Sequence, residues 1–565
     1  MLMGAAPPPT AVYAPALPRA ACAGEIVTRI DIRRHAPSTR SAAQRAVAAT
    51  TEAVGLEVES TRDSVLRAYV LLKPGAPCVE RDRRDSERML RAQPFVASAA
   101  VTALPDGAGR VRIRVDVVSE LPWVLGGRVA GGGIDAVRVG TLDYGGRGRT
   151  IIASAERGGA YRFGVGVSVA QYGMFGRPAV AALQLEHRPL GGLVSISLTQ
   201  PFLTDGQRYA ANALLTQETE YTTLLRPVGD PGAVRTQRTA YHVGWVKRVG
   251  TYRRERIVGL AGVMLIGTDV RTTDAVMIVS DSGLVPTGDS VLTGRYPDYG
   301  ASRLGVVGGV RALRFRTVER FDALRAAQDV GSGVQFNVAV APALWRAART
   351  RDLLISGDLY AGVGHARSFA SVSVRADARP TVGSAGGWDG VVASARLSWH
   401  LITSERRTRV ISLSTASLHA LPFPAQLTLR DPDGGLIGFP GSRSAGGQRV
   451  VFRVEERMLT PWFPRRADVA LAVFADAGRL WAGDVPYGAD SPVRSSAGIS
   501  LLAAFPSGGK RIYRVDFGVP VNPEPGGAGL ALRFAVSDRT TVAWAEPRDV
   551  MRARAGTGRA ALVRW

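Results

Sequence analysis

Gly164-Val165-Gly166-Val167-Ser168-Val169 alternates valine with residues no larger than serine. A period of two is that of a strand with one apolar face and one small or polar face. The pattern returns at Val194, Ile196 and Leu198 against Ser195, Ser197 and Thr199, and at Tyr513, Val515, Phe517 and Val519 against Arg514, Asp516 and Gly518. From residue 126 onward such segments follow one another, and no long helical stripe interrupts them. Their apolar face must be covered by a protein core or by lipid. A run of about 440 residues made only of strands has to close to remove its edges, and antiparallel strands with a polar inner face are what a bilayer admits. At roughly 25–28 residues per strand with its connection, this length predicts a transmembrane barrel of about 16 antiparallel strands. Gly-, Pro- and Asp-rich stretches at 281–301 and 368–390 read as surface loops.

Composition sets the bounds around this reading. The chain has 565 residues, 46% hydrophobic and 21% charged, with 65 Gly, 33 Pro and two Cys. It is too apolar for a disordered chain and too poor in cysteine for a disulfide scaffold. No apolar run approaches the roughly 18 residues of a spanning helix. The formal net charge of +23 would raise nucleic acid first. However, the basic residues are almost all arginine, with lysine only at 73, 247 and 510, and they stand singly instead of in blocks. The reading is therefore no nucleic-acid partner, with arginine on lumen faces, loops and interfacial rims, and absent from the mid-bilayer outer face. The six histidines have no metal-ligand spacing, and no P-loop or G-x-S-x-G elbow occurs. No catalytic residue, metal or cofactor is expected.

Four regions follow: 1–24, an Ala- and Pro-rich signal remnant or disordered terminus; 25–120, a small mixed domain; 121–135, a linker; and 136–565, the barrel. In the second region, Ile26, Ile30 and Ile32 mark a strand. Ser60 and Asp63 have capping-box spacing ahead of the helical stripe Val65, Leu66, Tyr69 and Val70. A second helix covers 82–91, with its acids early. Strands at 95–104 and 111–117 flank the turn Pro105-Asp106-Gly107-Ala108-Gly109. Cys22 and Cys78 are either a disulfide or two buried thiols. The last strand is either 529–536 or 560–565, the second ending on the aromatic Trp565.

The order strand, helix, helix, strand, strand resembles a POTRA (polypeptide-transport-associated) domain, and 82–101 resembles its second helix and next strand. The whole chain is similar to the BamA/TamA-like superfamily of outer-membrane assembly and translocation proteins. Leu142-Asp143-Tyr144-Gly145-Gly146-Arg147-Gly148 looks like that family's opening barrel turn, and Gln200-Pro201-Phe202 like its x-P-F. Gly434-Gly435-Leu436-Ile437-Gly438-Phe439-Pro440 is similar to its R-G-[FY] surface-loop motif. Glu455-Glu456-Arg457 follows as E-x-R, and Phe474-Ala475-Asp476-Ala477-Gly478 as F-x-D-x-G. Ile437 stands where the family has the arginine that meets this aspartate. Either Arg443 or Arg449 replaces it, or Asp476 faces lumen water.

The resemblance implies an α+β POTRA domain (β-α-α-β-β) in the periplasm, ahead of an all-β outer-membrane barrel. Gly438, Phe439, Asp476 and Glu455 would dock the loop in the lumen, and the seam would start near 136–142. Val96, Val101, Val111 and Val115 would lie on strands that extend a client by β-augmentation. Partners implied are outer-membrane lipid, unfolded outer-membrane or secreted clients, and other assembly components. The second reading is a passive channel or structural barrel with a vestigial POTRA domain.

Overall fold

The computed structural model describes residues 22–35, 60–130, 133–157, 163–252, 257–280, 283–348, 352–380, 388, 390–462, 466–524, 529–538 and 545–556. The alternation Val111, Ile113, Val115, Val117 builds a sheet whose inner face is at most 2% exposed. Around it stand β1 (Ala23–His35), α1 (Asp63–Arg67), β2 (Pro77–Val79), α2 (Glu80–Arg91), β3 (Val96–Pro105) and β4 (Arg110–Ser119). The sheet order is β2-β1-β4-β3, with β1 parallel to β4 and the other pairs antiparallel. Leu66, Tyr69, Met89 and Leu90 bring both helices into one core with it. The short β2 was not foreseen in the sequence. It carries Cys78, which is bonded to Cys22 just ahead of β1, so the disulfide alternative holds. The capping box does not form. Ser60 accepts Arg34 instead, and helix α1 starts after an extended Arg62.

The barrel begins earlier than the sequence suggests. Its first strand, β5 (Trp123–Ala130), fills most of the expected linker, because Gly126 and Gly127 blur the alternation there. The expected seam strand at 136–142 is thus the second strand, β6 (Gly133–Thr141). The last strand, Ala531–Asp538, matches the earlier of the two candidates and closes the ring beside β5. Residues 557–565, with the other candidate, lie outside the described residues. A helix absent from the sequence reading, α3 (Arg548–Gly556), follows that last strand.

Among the described residues, twenty-one strands share the barrel sheet, and one of them, Gly283–Thr287, pairs only with Ile257–Ser280 as a hairpin arm. That leaves twenty in the wall instead of sixteen. The assumed spacing was too wide: six strands fit between Trp123 and Gln200. The first eleven residues of the expected loop at 368–390 are the strand Ser368–Ala378, where Phe369, Val372 and Val374 lie among serines and alanines.

Strand periodicity sorts the wall cleanly. Val165, Val167, Ile196, Val306, Phe336, Leu397, Ile499 and Phe517 form an exposed apolar belt, while Arg303, Arg311 and Asp516 are fully buried inside. A continuous apolar outer face on a closed sheet with a charged interior is the surface of a membrane-spanning barrel. Outward arginines such as Arg157, Arg314, Arg316 and Arg409 lie near strand ends. Among the described residues, the mid-belt outward positions carry none, as the charge reading requires.

Candidate functional site

Among the described residues, four chain segments enter the barrel or cover its mouth, and helix α3 is the last of them. The first is the long loop 421–447. Leu427, Leu429, Leu436, Ile437 and Phe439 are each at most 5% exposed, and most of them pack on wall residues Val451 and Leu480. Apolar side chains on a connection between strands give it a reason to fold inward. Its tip is fixed on Asp476. The Ile437 N–H donates to the Asp476 carboxylate at 3.1 Å, and the Gly438 N–H donates to Ser496 Oγ at 3.1 Å. Ser496 in turn donates to the other Asp476 oxygen.

Neither Arg443 nor Arg449 serves Asp476. Its cation is Arg453, which donates at 2.8 Å from the facing position of the adjacent strand, where the register pairs 453 with 476. The lumen-water reading also falls, since Asp476 is 3% exposed. Arg443 is exposed, and only its backbone N–H is engaged, on Glu524 at 3.1 Å. Arg449 pairs with Asp549 of α3 at 2.6 Å and also donates to the Thr428 carbonyl.

Gly438 presses the loop tip on the wall. A Cβ there would lie 2.6 Å from that of Ser496 and 3.1 Å from the backbone at 519 and 520. Gly518 opposite would, with a Cβ, meet the Ile437 side chain at 3.1 Å. With an isoleucine in the arginine's place, the loop is held by backbone donors and close packing. Glu455 sits in a separate ladder. It accepts Arg514 at 2.8 Å and also Arg457, and Arg514 reaches Asp516 at 2.6 Å. Arg533, on the last strand, lies 3.7 Å from Asp516 and donates to loop residue Asp431 at 3.1 Å. The loop therefore touches the strand that closes the ring.

The second segment is the turn 319–327. Phe321 packs with Phe369 and Ile402, and Leu324 with Leu459 and Leu502. His400 is 3.1 Å from Asp322, and Arg457 donates to the Phe321 carbonyl at 3.0 Å. These contacts draw distant wall strands together at the end where the N-terminal domain sits.

That domain is the third. Thr61 donates to Asp143 at 2.5 Å, and the Arg62 N–H to the Gly146 carbonyl at 2.7 Å, on the turn read as the family's opening motif. Arg88 donates to the Leu203 carbonyl at 2.6 Å and lies 4.0 Å over the Phe315 ring. Arg91 pairs with Asp329 at 2.7 Å. Lys510 donates to the carbonyls of Arg91 and Gln93, the C-terminal end of α2, where a cation favours the helix dipole. Burial of Asp85 on this face pushes its carboxyl up, while Arg83 holds that of Glu80 below its usual range. No motif announces these contacts. The one signal was Lys510, among three lysines in an arginine-rich chain.

The augmentation residues fare differently. Val96, Val101, Val111 and Val115 are at most 1% exposed. Strand β4 is paired on both sides, so Val111 and Val115 offer no edge. Strand β3 is an edge, but its Val101 N–H donates to Glu87 at 3.2 Å, and its carbonyl accepts Arg83 at 2.5 Å. Side chains of α2 occupy the place of a neighbouring strand there.

No family model and no curated protein matches this chain. Similar solved structures include CdiB from Escherichia coli, at 10% identity over 94% of this chain and 92% of that one, with a TM-score of 0.45. CdiB from Acinetobacter baumannii matches at 10% identity over 91% and 74%, with a TM-score of 0.41. BamA from Haemophilus ducreyi lacking POTRA domains 1-3 matches at 13% over 91% and 84%, with a TM-score of 0.39. At these scores the likenesses decide nothing about function, which has to be argued from the chain's own geometry.

Proposed function

We propose that this chain is a bacterial outer-membrane barrel of the BamA/TamA-like class that assists proteins into or across that membrane, with a single POTRA-like domain on the periplasmic side. The observation that carries this reading is the docking of loop 421–447 on Asp476. A surface loop with a glycine pressed on the inner wall and a buried carboxylate for its tip is an internal device, and a passive pore has no need of one. The lumen is also entered by the turn 319–327 and helix α3, while the domain holds the mouth. Such closure disfavours the open-channel reading. Unfolded outer-membrane or secreted polypeptides are the clients this assigns, with lipid phosphates at the arginine rims. Client folding would drive the process without a nucleotide.

Reconstitution tests it. Liposomes carrying the chain should speed the insertion of an unfolded eight-stranded barrel, read as protease protection, at least several-fold over empty liposomes. Unchanged insertion and secretion, together with a stable ohmic conductance from the purified chain, would select the channel instead.

A further inference from the structure

The last strand, Ala531–Asp538, ends opposite Arg511 and beside the domain end of the barrel. Eight residues later, Glu546 meets Ser394, near the start of strand Val391–Ile402 and towards the other end. Ser394, Asp377 and Arg449, which Glu546 and α3 reach, are buried on the inner face of the wall, so α3 lies in the lumen. Val550 and Ala553 are at most 1% exposed and join the loop cluster with Phe423, Leu427 and Leu436. Apart from these two, α3 is held by charge. Arg554 reaches Asp377 at 2.6 Å, Glu546 at 2.7 Å and Ser394 at 3.1 Å. Asp549 accepts Arg449 and the Thr428 N–H. Pro547 packs on Gly434, where a Cβ would come within 2.4 Å of it.

We infer that residues 545–556 are a removable latch that holds loop 421–447 in the lumen and keeps the barrel closed. The chemistry suits removal. A segment docked mainly by ion pairs exposes little apolar surface when it leaves, and water entering the opened lumen can solvate the charges of Asp377 and Arg449 that it uncovers. The latch is also coupled to the loop. Asp549 and Pro547 grip the loop at Thr428 and Gly434, next to the stretch whose tip rests on Asp476 and Ser496. Loss of the latch would free the upper half of the loop while its tip is still bonded. The displacing agent is an extended polypeptide entering the lumen. This last point rests on the proposed function, whereas the latch itself does not.

Single-channel recording on the full chain in planar bilayers tests the latch. In the pair Ser394→Cys and Glu546→Cys, a short bis-methanethiosulfonate linker that spans the length of the lost glutamate side chain should join the two thiols and hold the segment in place. The cross-linked protein should be as quiet as wild type, and reduction should raise open probability at least tenfold, with wild type under the same reductant as the control. Arg554→Gln should open without reductant, and a synthetic peptide of residues 545–556 should close it again. If reduction leaves the folded, cross-linkable barrel closed and Arg554→Gln matches wild type, the inference fails. A barrel that opens as expected yet does not accelerate client insertion would leave the latch standing and remove only the proposed function.

Discussion

Asp476 gathers an arginine, a serine hydroxyl and a backbone N–H in a site that is 3% exposed. Asp476→Ala would leave Arg453 and the Ile437 N–H without their acceptor, at about 1–3 kcal/mol for each group left unpaired. We expect a lower temperature for the folded-to-unfolded band shift on unheated gels and new proteolysis near Arg430. Gly438→Val should give the same phenotype from the other side of the contact, by driving a side chain into Ser496 and the wall. A smaller effect concerns pH. Arg83 lowers the Glu80 carboxyl below its ordinary value of 4.5, so the stabilisation is present above that value and lost as pH falls through the folded one. Glu80→Gln should cost a few tenths of a kcal/mol at pH 7 and progressively less as pH falls through the folded value, measured as domain unfolding, since the pair is partly exposed. The sequence placed Asp476 and Gly438 by their motifs but not the cation. Arg453 becomes visible only once the register of two strands is known, and 23 residues of separation do not set a register.

Single elements were legible in proportion to their periodicity. The alternation at 513–519 lies within the strand Arg511–Pro520, and the acid-first helix at 82–91 within α2. Where glycine replaces the apolar partner, as in β5, the pattern disappears although the strand does not. Helix α3 escaped because Arg548, Asp549, Arg552 and Arg554 leave it only a thin apolar side, and its docking is through charge. Edge availability was equally hidden, since only the sheet order shows that β4 has neighbours on both sides. The disulfide belongs to this scale. Cys22–Cys78 closes a separation of 56 residues and ties β2 to the start of β1. Replacing both cysteines by serine should cost about 2–4 kcal/mol of domain stability, read as an earlier domain transition with the barrel's band shift unchanged.

The whole molecule is a wall whose outside is sorted from its inside by a two-residue period. Val306, 61% exposed in the belt, has Arg303 and Arg311 buried on the other face of the same strand. Val306→Arg should cost about 2–4 kcal/mol and lower the folded yield in lipid vesicles, whereas Arg314→Ala, near the strand end, should not. If both variants inserted equally well, the belt would not face lipid. The positive charge is thereby explained by placement, with arginine in the lumen and at the rims.

The grip of Lys510 on the end of α2 has a consequence in time. The two partners are separated by more than 400 residues, and a chain delivered from its N-terminus completes the domain first and the turn bearing Lys510 almost last. Until that hairpin arrives, the domain has its bonds to the turn at 143–146, to Leu203 and to Asp329 but lacks this clamp on the end of α2. One of the last steps of biogenesis would then complete the seating of the earliest part of the chain, so that a molecule stalled short of its last strands is recognisable by the incomplete seating of its front end.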